Sequence, residues 1–172
     1  MDTITGFSPV VGRAARVLIL GSMPGRLSLD VCEYYAHPRN TFWRIMGDIL
    51  DFDSSAAYSV RLSVLTRHGV ALWDVLHSCI RSGSVDGGIK AGTRVVNGFE
   101  VFFRRHPTIE IVCFNGVEAE KSYNKYVLPG LSAHKTRYVR LPSTSAANAA
   151  ISYEAKLKEW QAAIRGQSGL PG

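Results

Sequence analysis

The sequence predicts an α/β fold: a single three-layer domain with a central four-stranded, mainly parallel sheet flanked by helices. Three observations predict it. Four short apolar runs, at 16–20, 70–73, 109–114 and 136–141, have strand length, and the first three are nearly continuous in apolar residues, as strands buried on both faces are. Segments of helical period separate them, and strands alternating with helices close into a parallel sheet. The length of 172 residues is that of one domain.

Each element follows in order. The first run leads into Gly21-Ser22-Met23-Pro24-Gly25. Phe42, Trp43, Ile45, Met46, Ile49 and Leu50 then recur on one face of a helix that begins near Asn40. Tyr58, Leu62, Val64 and Leu65 mark a second helix, ended by His68-Gly69. The second run ends at Asp74. Val95, Val96, Phe99, Phe102 and Phe103 mark a third helix, stopped by Pro107. The third run ends at Asn115-Gly116, and 117–127 gives a fourth helix. After the fourth run comes Pro142-Ser143-Thr144-Ser145. A fifth helix is predicted over 147–164, with Ile151, Leu157, Trp160 and Ile164 facing inward. Residues 1–165 are read as the domain and 166–172 as a disordered tail.

Composition removes several classes. With 46% hydrophobic and 20% charged residues, the chain is neither a disordered tail nor a fibrous repeat. No apolar run approaches the roughly 18 residues of a membrane span, and the first residues lack the basic-then-apolar order of a signal peptide, so a cytoplasmic protein is expected. Three distant cysteines, Cys32, Cys79 and Cys113, make neither a disulfide framework nor a four-thiolate metal site. His37, His68, His77, His106 and His134 show no metal-ligand spacing, and each is expected to be structural or solvated. No metal and no cofactor are therefore expected. A Gly-x-Ser-x-Gly elbow and a phosphate-binding P-loop are also missing.

The net charge of +6 is unevenly placed. Residues 1–80 hold seven basic and seven acidic side chains, whereas 81–140 hold ten basic against five acidic. A basic middle suits a polyanionic partner, because neutralised phosphates release counterions; a solvated basic surface explains it equally well.

In a parallel sheet the carboxyl ends of the four strands lie along one edge, where such folds place ligands. Small, polar, Pro or Gly residues at all four ends predict one composite site. The segment 33–43 adds aromatics, His37, Arg39 and Asn40 just before a helix. Asn40 can cap that helix and Trp43 can enter the core. Tyr34 and Tyr35 stand outside the helical period, where an aromatic can stack a nucleobase for about 1–3 kcal/mol.

These strings together resemble the uracil-DNA glycosylase superfamily, and within it the hypoxanthine-DNA (deoxyinosine) glycosylase branch. The matches are Gly21-Ser22-Met23-Pro24-Gly25; Tyr34-Tyr35-Ala36-His37-Pro38-Arg39-Asn40-Thr41-Phe42-Trp43; Leu72-Trp73-Asp74-Val75; and Leu141-Pro142-Ser143-Thr144-Ser145-Ala146-Ala147-Asn148. Cys113-Phe114-Asn115-Gly116 is similar to a third-strand end of mismatch-specific thymine/uracil glycosylases. The resemblance implies a monofunctional glycosylase that flips a deaminated base out of DNA and cleaves its N-glycosidic bond with water. Mismatch-specific relatives carry a catalytic Asn where Met23 stands, and the resemblance implies that Asn40 replaces it by holding the water. It further implies base contacts from Ser22, Met23 and Tyr35, and DNA contacts from Pro24, Gly25, Pro142, Ser143, Thr144 and Ser145. Asp74 or Asn115 could read the lactam edge shared by hypoxanthine and uracil. The nearest lysines in sequence, Lys90 and Lys121, lie outside these motifs, which argues against a lyase. The expected partner is DNA, bound by a monomer with no membrane. The alternatives are a uracil or thymine mismatch glycosylase and a non-catalytic nucleic-acid-binding domain.

Overall fold

A computed structural model describes residues 3–132 and 135–166. In chain order the elements are β1 (Thr3–Thr5), β2 (Val17–Gly21), α1 (Arg26–Val31), α2 (Phe42–Leu50), α3 (Tyr58–Arg67), β3 (Val70–Asp74), β4 (Leu76–Ile80), β5 (Val95–Val96), α4 (Phe99–Arg105), β6 (Ile111–Asn115), α5 (Val117–Tyr126), β7 (Arg137–Leu141) and α6 (Tyr153–Arg165). The predicted four-stranded sheet is present, ordered β3-β2-β6-β7 with every pair parallel. Its strands start and stop within two residues of the apolar runs.

Alternation along the strands feeds two cores. Leu18, Leu20, Ala71, Trp73, Val112 and Phe114 pack with Phe99, Phe102, Phe103 and Tyr123 of α4 and α5. Val17, Ile19, Val70, Leu72, Ile111 and Cys113 pack on the opposite face with α2, α3 and α6, where Phe42, Met46, Leu65 and Trp160 are wholly buried. Both faces are covered, which is why these strands read as continuous apolar runs.

Three predicted details are corrected. Val95 and Val96 are strand, not helix: they pair with β4 in a small antiparallel sheet ordered β1-β4-β5. The Asn97 amide donates to the Asp74 carbonyl at 2.8 Å and Gly98 starts α4, so the apparent helical period ran across a strand and a cap. The fifth helix begins at Tyr153, capped by Ser152, whose hydroxyl accepts from the Ala155 N–H at 3.2 Å. Ile151 therefore sits before the helix and is exposed, instead of facing the core. The expected tail is described only at Gly166, the α6 C-cap; 167–172 lie outside the described residues.

Candidate active site

β2 ends at Gly21 in register beside Asp74 of β3, and β6 ends at Asn115 beside Leu141 of β7. Because the strands are parallel, these ends open on one edge, along which lies a cleft of about 1050 Å³. All twelve predicted site residues line it: Ser22, Met23, Pro24, Gly25, Tyr35, Asn40, Asp74, Asn115, Pro142, Ser143, Thr144 and Ser145. Their chemical parts differ from one another more than the motifs suggest.

Asp74 is buried, and its Oδ2 has no hydrogen-bond partner. A Cβ on Gly21 would collide with Asp74 Oδ1 and would stand 3.4 Å from the Tyr35 hydroxyl, so glycine is required for the two side chains to approach this strand end. Burial, then the negative charge of Asp86, push the Asp74 carboxyl from an ordinary 3.8 up to about 8, against the opposing pull of Arg81. Asp86 comes from a short 3-10 turn, Asp86–Gly88, and its Oδ1 accepts from the Ser22 hydroxyl at 2.6 Å. Its carboxyl is raised too, chiefly by burial. Arg81 is buried and donates to the carbonyls of Pro24 at 2.6 Å and Gly83 at 3.2 Å, so it braces the first loop and forms no ion pair with either carboxyl. Met23 and Pro24 are buried beneath that loop, whereas Gly25 faces open space.

The second motif divides inward and outward. Tyr34 enters the core, its hydroxyl donating to the Ser8 carbonyl at 3.3 Å, and its carbonyl accepts the Trp43 indole N–H at 2.8 Å. Tyr35 takes a left-handed backbone (φ 56°) and its ring stacks on Phe42 with centroids 4.0 Å apart. One ring face is thus occupied, and its buried hydroxyl reaches the cleft floor beside the Asn115 carboxamide. Burial and the nearby Asp74 raise the Tyr35 phenol against the opposing hydrogen bond of Asn115, so it stays neutral. Asn40 is half-buried on the cleft wall, and its Oδ1 accepts from the Phe42 N–H at 3.0 Å. The N-cap of α2 is Thr41, so Asn40, expected to cap the helix, stands one residue before that position; its carboxamide accepts from the first helical N–H and lies on the cleft wall. His37 is exposed and its ring nitrogen accepts from the Arg39 N–H at 3.2 Å, a turn-forming role.

The fourth loop is fastened by a buried hydroxyl residue. Thr144 is fully buried: its hydroxyl accepts from Asn115 Nδ2 at 2.9 Å and its N–H donates to Asn115 Oδ1 at 2.9 Å. The Thr144 carbonyl accepts the Thr41 N–H at 3.0 Å. Its place among DNA-contacting residues is therefore not matched by any outward atom; it holds the loop instead. Ser143 and Ser145 are half-buried, and each hydroxyl accepts a backbone N–H two residues on, leaving its O–H as a donor. Gly116 (φ 97°) is required here, since a Cβ would stand 2.9 Å from Ser143 Cβ.

A scan against family models matches residues 9–164 to the uracil DNA glycosylase superfamily. The chain belongs to that superfamily. Two curated relatives are named hypoxanthine DNA glycosylases. One, from Methanosarcina acetivorans, is 34% identical over 161 residues, covering 93% of this chain and 97% of its own. The other, from Methanosarcina barkeri, is 40% identical over 112 residues, covering 64% of this chain and 70% of its own. A solution NMR structure of a protein assigned as a candidate uracil DNA glycosylase of Methanosarcina acetivorans superposes with a TM-score of 0.80 at 31% identity, covering 96% of this chain and 98% of that one. This superfamily member is a DNA glycosylase, a hydrolase of N-glycosyl bonds.

Sequence reasoning missed three groups that shape the glycosylase cleft. Asp86 and Arg81 come from a connection with no motif and no strong period. Lys156 of α6 is buried and donates to the Asn148 carbonyl at 2.7 Å, while Trp160 donates to the Pro142 carbonyl at 3.0 Å, so α6 clamps the fourth loop at both ends. The basic excess of 81–140 is also redistributed. Arg81 is buried, Arg94 approaches Glu118 at 3.5 Å and Arg140 pairs with Glu120 at 3.0 Å. The exposed arginines on the cleft rim are Arg26, Arg39 and Arg140. Among the described residues no His/Cys/Asp/Glu group could hold a metal ion, and no helix is long and apolar enough to cross a membrane.

Proposed function

We propose that the chain is a monofunctional DNA glycosylase that flips hypoxanthine out of DNA and hydrolyses its N-glycosidic bond. The observation that carries this reading is the convergence of four strand ends and Asn40 on one cleft, in a chain whose curated relatives are hypoxanthine glycosylases. The arginines of the rim and the free O–H donors of Ser143 and Ser145 would hold phosphates without regard to sequence. Pro142 would press against the duplex as the base leaves the stack. The open face of Tyr35 would take the flipped base.

Asn115 is the better reader of the lactam edge. Thr144 fixes which end of its carboxamide is oxygen: Oδ1 would accept from the base N1–H, and Nδ2, which also neighbours the Tyr35 hydroxyl, would donate to the base carbonyl. Asn40 is fixed in the same manner by the Phe42 N–H, with one lone pair remaining to hold the attacking water. An amide does not take the water's proton early; it contributes by position and by stabilising the cationic sugar that forms as the base departs. Among the described residues no lysine lines the cleft, which suits hydrolysis without a lyase step. The protein would act as a monomer in the cytoplasm, with DNA as its partner and without a cofactor.

Duplex oligonucleotides with one deoxyinosine or one deoxyuridine, incubated and then treated with alkali, test the reading. Deoxyinosine should be cut far faster than deoxyuridine, and Asn40→Ala should lower the rate at least a hundredfold with duplex binding retained. Preferential cutting at uracil would reassign the substrate; cutting of neither would leave a binding module.

A further inference from the structure

A wholly buried carboxyl with no cationic partner cannot remain charged at ordinary cost, because removing a lone carboxylate from water is far more unfavourable than keeping its proton. Asp74 is in that position. Its Oδ2 meets no donor; the Arg81 guanidinium pulls the other way but forms no ion pair with it, being bound through Nε and Nη2 to two carbonyls; and Asp86, held by Ser22, opposes ionisation with a like charge. The remaining titratable groups facing Asp74 are the phenols of Tyr34 and Tyr35, both kept neutral by burial. Glu118 and Arg94 act one step further out, on Asp86. The cleft floor thus carries a protonated acid at the end of β3. Reading the base does not require it, since Asn115 offers both a donor and an acceptor.

Purines differ from uracil in how they leave. The electron pair of the broken C1′–N9 bond enters a ring whose imidazole nitrogen N7 is basic, so a proton delivered there converts a poor anionic leaving group into a neutral one. Resting on the glycosylase reading above, we propose that the Asp74 carboxyl is the general acid that gives its proton to N7 of the departing hypoxanthine. As C1′–N9 breaks, the pair goes to the purine, and the Asp74 proton goes to N7. Asp74 becomes a carboxylate and hypoxanthine leaves neutral. The oxygen of the water held by Asn40 bonds to C1′, and one of its protons, passed through solvent, restores the Asp74 acid. The sum is the hydrolysis of one glycosidic bond by one water. Asp86 is then a positioning residue, since its negative charge favours the protonated form of its neighbour.

Single-turnover excision from a duplex with one deoxyinosine, at saturating enzyme between pH 6 and 10, tests this. The wild-type rate should be flat at low pH and fall tenfold per pH step above about 8, where Asp74 loses its proton. Asp74→Asn should lower the rate at pH 7 by about 10²–10⁴-fold and abolish the fall. Asp86→Asn, which keeps Asp74, should move the midpoint of the fall to lower pH. Duplex affinity, measured separately, should change little across these conditions. An Asp74→Asn rate equal to wild type, a midpoint unmoved by Asp86→Asn, or a pH effect confined to affinity would each overturn the proposal. If the wild-type protein leaves deoxyinosine intact at every pH, the glycosylase reading itself fails.

Discussion

Replacing Asp74 by Asn should make the protein more resistant to unfolding at alkaline pH. In the folded chain the Asp74 carboxyl holds its proton up to about pH 8, whereas an ordinary carboxyl loses it near 3.8. Between those values the unfolded chain has released a proton that the folded chain still binds, so raising the pH favours unfolding. Stability from this site is complete below pH 4, declines through pH 8 and is level above it. At about 1.4 kcal/mol per pH step, the full loss is of order 6 kcal/mol, an upper limit because water and backbone can relax around the charge. Asn keeps the shape but cannot ionise. It leaves an N–H donor where Oδ2 has no partner, a pH-independent cost of about 1–3 kcal/mol. Urea unfolding at pH 5, 7 and 9 measures both terms. Wild type should lose several kcal/mol from pH 5 to 9 and the variant much less, the remainder coming from Asp86, whose carboxyl is raised in the same sense. Parallel pH dependences for the two proteins would show that Asp74 is already ionised in the fold, and the argument from burial would be wrong.

Two further outcomes follow from the clamp and the rim. Thr144→Val keeps the buried shape but removes the hydroxyl that accepts from Asn115; it should cost about 1–2 kcal/mol in chemical denaturation and reduce excision, through a loosened Asn115, by more than it reduces duplex affinity. Arg39→Ala should weaken binding to undamaged duplex similarly for all sequences and reduce the slope of log affinity against log salt by about 1, read by fluorescence anisotropy across a salt series.

β2, β3 and β6 were legible because they are covered on both sides, and a two-sided core leaves an unbroken apolar run in the sequence; β7, an edge strand, is mostly exposed and alternates instead. The same logic hid the smaller sheet. β4 reads Leu76-His77-Ser78-Cys79-Ile80, too short and too polar to stand out, and β5 is only Val95-Val96, absorbed into the period of the helix that follows. The cleft was legible for a topological reason, since four parallel strand ends must share an edge. What each lining residue does there was not. Thr144 looks like a solvent-facing loop hydroxyl in the sequence, yet it is buried because Asn115, twenty-nine positions earlier, offers both a donor and an acceptor. Asp86 lies twelve residues beyond Asp74 in a Ser/Gly-rich connection, and only the fold brings the two carboxyls together.

Met23 offers no polar group, so on the proposed reading a carboxamide from a different loop must be placed well enough to hold the water. Asn40 stands at the start of α2, and its oxygen is oriented by the Phe42 N–H. Asn115 stands at the end of β6, and its oxygen is oriented by the Thr144 N–H. The Thr144 carbonyl in turn accepts the Thr41 N–H, one residue from Asn40. Hydrogen bonds through Thr144 therefore tie Asn115 to the backbone at Thr41, which is covalently adjacent to Asn40. Each amide has its flip state fixed by a backbone donor, so neither must be ordered when the base arrives. Met23, the buried member of the first loop, contributes no polar group, and Asp74 is kept protonated chiefly by its own burial. A polar side chain at position 23 should restore hydration to the floor and shift the Asp74 proton loss to lower pH.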